Sequence, residues 1–194
     1  MSPKKRMRSR ASSTILCCAF VNLLGWSFTA IAEIEKGGNP CETGICVYWW
    51  PKLPAISGWH HEAEASQHHA VNALAPDGST FENAETVMYA VALYKPRMTE
   101  IASVDALIAD DKKKFIEQSA AVSIDETKPL ATGDGQKLRS FTFFPKSEGN
   151  WEQVAYGEEG DYYLIFTVSS RTKSGYAQAL QSYEAMLRGY KAKL

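Results

Sequence analysis

The stretch GDYYLIFTVSSRTKSGYAQALQSYEAMLRGYK, residues 160–191, decides the fold. Its first half alternates. Tyr162, Leu164, Phe166 and Val168 share one face of a strand, and Tyr163 and Ile165 take the other. The second half changes period. Tyr176, Leu180, Tyr183, Leu187 and Tyr190 recur at steps of four, three, four and three, which draws one apolar stripe along a helix. Thr172 or Ser174 is placed to cap its start. Just upstream, Trp151–Tyr156 reads as a strand. The segment Gly157-Glu158-Glu159-Gly160-Asp161 joins it to 162–169 as a glycine-bearing hairpin turn. A hairpin that runs straight into an amphipathic helix requires that helix to close over one face of the sheet.

Working back from there, Leu138–Phe144 alternates moderately and Ala121–Asp125 is a weak strand. Ser103 caps a predicted helix through Ser119, with Val104, Leu107, Ile108 and Phe115 toward the core and Asp110, Lys113 and Lys114 toward water. Val87–Tyr94, VMYAVALY, is apolar at odd and even positions and predicts a central strand covered on both sides. Between Trp59 and the turn at Pro76-Asp77-Gly78 the periodicity leaves helix and strand open; the expectation is a hairpin, strands 59–64 and 68–75 about a turn at 65–67. The whole order predicts an α+β domain, an antiparallel β-sheet flanked by helices in an α/β/α sandwich, over residues 54–194.

The chain before this domain reads differently. Lys4, Lys5, Arg6, Arg8 and Arg10 precede an apolar run ending in Ala30-Ile31-Ala32. That is the three-part pattern of a secretory signal peptide over 1–32, cleaved before Glu33, and the run is short for a membrane span. The expected location is periplasmic or secreted, with no membrane span after cleavage. Without the leader, 16 basic residues face 22 acidic ones. That balance and the lack of a basic tract argue against nucleic acid as a partner. Residues 33–53 contain Gly37, Gly38, Pro40 and Pro51 and read as an irregular arm. Within it Cys41 and Cys46, spaced C-x4-C, predict a small disulfide loop and not a C-x-x-C redox pair. Trp49 and Trp50 in VYWWP either pack on the domain or form a partner-binding site.

The segments GWHHEAEAS, NALAPDG, VMYAVALYKPR, SVDALIADDKKKF and the closing hairpin and helix together resemble the PsbP-like fold family, small exported PsbP/DcrB-like proteins, over roughly residues 54–192. The resemblance implies the same sandwich and a binding or assembly module that is not an enzyme. It carries no set of functional residues onto this chain.

All four histidines lie in HHEAEASQHH, residues 60–69. On a hairpin, His61 would face His68 and His60 would face His69, close enough to share a metal ion. On a helix, His60, Glu64 and His68 would follow one another at steps of four. Either way zinc or copper could be held by two nitrogens and a carboxylate, although such sites take three or four ligands. The competing reading is a polar face near a turn. H-E-x-x-H fails at Ala65, and no G-x-S-x-G, phosphate loop or dinucleotide fingerprint occurs. Two functions follow as expectations. One is an exported, non-enzymatic, monomeric module that binds a protein or small ligand through a sheet face or the arm, with Trp49, Trp50, Trp59 and Trp151 as contact candidates. The other is a metal-binding protein using His60, His61, His68, His69 and Glu64. A hydrolase with an unrecognised site is a weaker third.

Overall fold

The computed structural model describes residues 34–42, 44–118 and 121–191. The expected leader and the expected helix end at Ser119 lie outside the described residues.

The strands are β1 (Ile34–Cys41), β2 (Gly44–Pro51), β3 (Trp59–His61), β4 (Asn72–Pro76), β5 (Thr86–Tyr94), β6 (Ser123–Glu126), β7 (Leu130–Ala131), β8 (Lys137–Phe144), β9 (Trp151–Glu159) and β10 (Tyr162–Ser170). The helices are α1 (Ala63–His69), α2 (Val104–Gln118) and α3 (Lys173–Gly189). One antiparallel sheet runs β1-β2-β5-β10-β9-β8-β6, with β4 sharing the edge of β5, β3 beyond β4, and β7 beside β8. This is the expected α+β architecture.

β10 is the axis of the sheet, paired along all its residues with β5 on one side and β9 on the other. Its alternation divides the core. Leu164, Phe166 and Val168 join Met88, Ala90, Tyr183, Met186 and Leu187 under α3. Tyr163 and Ile165 join Leu107, Ile108, Phe141, Phe143 and Tyr156 under α2. The two helices therefore cover opposite faces, and the stripe read from the sequence is the buried side of α3. Thr172 caps α3 by accepting from the Gly175 N–H at 3.0 Å. Ser103 Oγ does the same for Ala106 N at 3.1 Å, at the head of α2.

Four local readings change. Residues 34–51 are not an irregular arm but a regular hairpin, in register from Ile34↔Pro51 to Cys41↔Gly44. The breakers are tolerated because β1 is an edge strand, where Pro40 removes no central ladder bond. Gly37 is there for space: a Cβ would stand 2.3 Å from the Tyr48 ring. Cys41 and Cys46 are at disulfide distance across this hairpin, their Cα atoms 5.7 Å apart.

The expected histidine hairpin is a strand, a short helix and a strand. Ala63 to Ser66 favour the helix, and Ala65 is buried beneath it. Ser66 Oγ accepts from Ala73 N at 2.9 Å and ties α1 to β4. Ala70 ends the helix in the left-handed region at φ 56°. The third change is at the β9–β10 turn, where both strands run on until Glu159 pairs with Tyr162. The last concerns β5, which is not equally covered on both sides. Thr86, Met88, Ala90 and Ala92 are buried, while Val87, Tyr89, Val91 and Leu93 are only partly covered.

Candidate functional site

β3 and β4 pair as His61↔Leu74 and His60↔Ala75, so neither of these histidines faces His68 or His69. His60 Nε2 donates to Glu62 at 2.7 Å, and its Nδ1 lies 3.6 Å from Asp77. His61 Nδ1 donates to Asn72 Oδ1 at 2.9 Å, because the Asn72 amide nitrogen is committed to the Pro51 carbonyl. His68 and His69 are on α1, their rings 4.7 Å apart and edge to face. Glu64 and His68 keep their spacing of four on that helix, but His60 sits on a strand, so the three do not follow one surface. Among the described residues no group of three or more His, Cys, Asp or Glu is arranged to hold a metal ion.

The tryptophans mostly serve the core. Trp49 faces the α3 side, 5.2 Å from the Tyr94 ring, with the Arg97 guanidinium 4.8 Å above it. Trp59 and Trp151 pack against the same cluster. Trp50, next along β2, turns the other way, and its Nε1 donates to Glu35 at 2.9 Å.

The structure draws attention to residues that sequence reasoning passed over. On the α2 face, β5, β10, β9 and β8 align Val87, Ser169, Glu152 and Phe143 in one row across four strands. The next row is Tyr89, Thr167, Val154 and Phe141. α2 packs over the β9 and β8 end of these rows. The β5 end is left open, bounded by α1 and Phe81. Two adjoining hollows result, about 350 Å³ over Tyr89 and Ser169 and about 550 Å³ beside Phe115 and Phe143. Asn150 and Glu152 line both and join them.

The chemistry there is unusual for a sheet interior. Burial pushes the Glu152 carboxyl above the ordinary carboxylate range; hydrogen bonds from Ser169, at 2.6 Å, and Asn150 oppose this, and the charge of Asp111 adds to it. Asp111 on α2 is raised by burial as well, against the pull of the Tyr156 hydroxyl, which donates to it at 2.6 Å. Burial, with Glu152 nearby, raises the Tyr89 phenol far above its usual value, so it stays protonated. One side of the smaller hollow is aromatic: Phe81 lies between His69, at 5.4 Å, and Tyr89, at 6.2 Å.

A carboxyl that binds a proton readily, a phenol that keeps one, an amide and an imidazole can hold a polar ligand from several sides. One signal for the site was in the sequence. The second face of β10 reads Tyr163, Ile165, Thr167, Ser169 and turns from apolar to polar along its length. The positions of Phe81, His69 and Glu152 around that polar end required the tertiary structure. No family model matches this chain, and no curated protein matches it either.

Proposed function

We propose that this is an exported binding or assembly module of the PsbP-like kind, without catalysis of its own, and that its ligand is a small molecule taken on the α2 face of the sheet. The observation that carries this reading is the pair of joined hollows on the α2 face, with Asn150 and Glu152 lining both and Ser169 the smaller. A sheet face that ends in a partly buried carboxyl and an open cavity has given up packing that the opposite face retains. Binding explains that loss; a partner for the arm alone does not. The Cys41 and Cys46 pair supports an oxidising compartment.

The test is a small-molecule screen followed by amide correlation spectra of the labelled protein. Ligand-induced shifts are expected at Tyr89, Glu152 and Ser169. Val87→Trp, which fills the smaller hollow, is expected to abolish them. Shifts gathered at Trp49 and Trp50 would move the site to the hairpin and sink this reading.

A further inference from the structure

The hollow's charge has no counterpart in its own walls. Glu152 and Glu148 are its acids, and among the described residues lining the two hollows there is no lysine or arginine. A carboxylate has roughly four acceptor positions. Ser169 and Asn150 occupy two on Glu152, which fixes its orientation and leaves acceptor capacity toward the cavity. Lys114 of α2, whose charge tempers Asp111, is itself held by Asp110 at 2.7 Å. The row spacing of about 4.8 Å per strand puts Glu152 roughly 10 Å across from Val87 on the β5 side, room for one small organic group between them. On the β5 side stand His69, Phe81 and Tyr89, an aromatic wall that suits an apolar or aromatic body.

From these features we infer that the hollow is a site for a small organic cation, an amine carried on an apolar or aromatic body, with the ammonium on Glu152 and the body against Phe81 and Tyr89. This rests on the cleft being the ligand site and adds the ligand's chemistry. An anion would meet Glu152, and Glu148 in the larger hollow, with no lysine or arginine on the walls. A neutral molecule would leave the partly desolvated carboxylate without an opposite charge.

Three probes that share a phenyl ring and differ in charge test it: phenethylamine, 2-phenylethanol and 3-phenylpropionate, titrated by calorimetry into protein purified from cells expressing the full chain. Phenethylamine is expected to bind at least about tenfold more tightly than either of the others, as a charge-assisted contact should. Glu152→Gln is isosteric and keeps an acceptor for Ser169. It is expected to erase that preference with an unchanged circular dichroism spectrum. Phe81→Ala is expected to weaken all three probes. If the alcohol or the carboxylate binds best, and Phe81→Ala weakens it, the cleft stands as a binding site and the cation assignment falls. If none of the three binds, both the assignment and the cleft reading fall.

Discussion

The two faces of this sheet are made by alternate residues of the same strands, yet they finish differently. On the α3 face Leu164, Phe166, Val168 and Ser170 of β10 are all buried, and the helix seals them with Tyr183, Met186 and Leu187. Even its polar atoms are closed off. Tyr183 Oη donates to the Phe166 carbonyl at 2.7 Å, and Tyr176 Oη donates to Gln153 at 3.0 Å. On the α2 face the helix covers Phe141, Phe143 and Val154 and leaves Tyr89, Ser169 and Glu152 lining an open hollow. One face is given over to stability, and the other retains an opening with titratable groups in it. A sheet need be sealed on only one side to hold its register, because a one-residue slip would expose that whole side.

The contrast can be broken by mutation. The largest effect is expected on the closed face. Phe166→Ala should lower the unfolding free energy by about 4 kcal/mol, while Leu107→Ala on the buried side of α2 should cost about 2 to 3 kcal/mol. Urea denaturation measures both, and a reversal of that order would mean that α2 and not α3 closes the main core.

The second test is alkaline. Burial raises Tyr176 to about 12 and Tyr183 further still. Because the folded pKa lies above the unfolded one, the stabilisation is complete below about pH 10 and is lost as pH rises toward the raised values. Phenolate absorbance should therefore show these tyrosines ionising only together with the loss of near-ultraviolet circular dichroism. Smooth titration without unfolding would mean that the α3 face admits water.

A smaller effect is expected at the open face. The Glu152 and Asp111 carboxyls are raised, so the fold holds extra protons. Their contribution is full below the ordinary value and is lost as pH climbs through the raised one. The melting temperature should fall from pH 4.5 toward neutrality, from the unshifted value upward. Glu152→Gln should flatten that slope and gain about 2 °C at neutral pH, a shift that under 1 kcal/mol produces in a chain of this size. A steeper slope in the variant would remove Glu152 from the account. The smallest effect is expected away from both faces. His61→Ala/His68→Ala should change neither the melting temperature on zinc addition nor the metal content after dialysis, because the two side chains belong to separate elements.

Much of the fold was legible because burial writes its period into a sequence. The stripe of α3, the two faces of β10 and the Ser103 cap follow from spacing and side-chain chemistry alone. The candidate site was less legible. Glu152 stands in WEQVAY beside the buried Gln153, and alternation alone does not say which of two polar neighbours faces a helix and which faces a cavity. The histidines misled for a related reason. Alternation and helical spacing both fit HHEAEASQHH, and the choice was made by Ala65 and Ser66, which pack against β4.

The sequence by itself determined the α+β class, the two faces of β10, the Ser103 cap of α2 and the nearness of Cys41 to Cys46. These depend on local period, short-range hydrogen bonds and spacing along the chain. Only the tertiary structure decided that residues 34–51 extend the sheet, that the histidines separate, and that the α2 face stays open over Glu152. Each of these depends on which edge or face another element reaches. A strand accepts Gly37 and Pro40 because of what lies beside it, and a carboxyl is left at the floor of a cleft because α2 packs over Phe141, Phe143 and Val154 and not over Glu152.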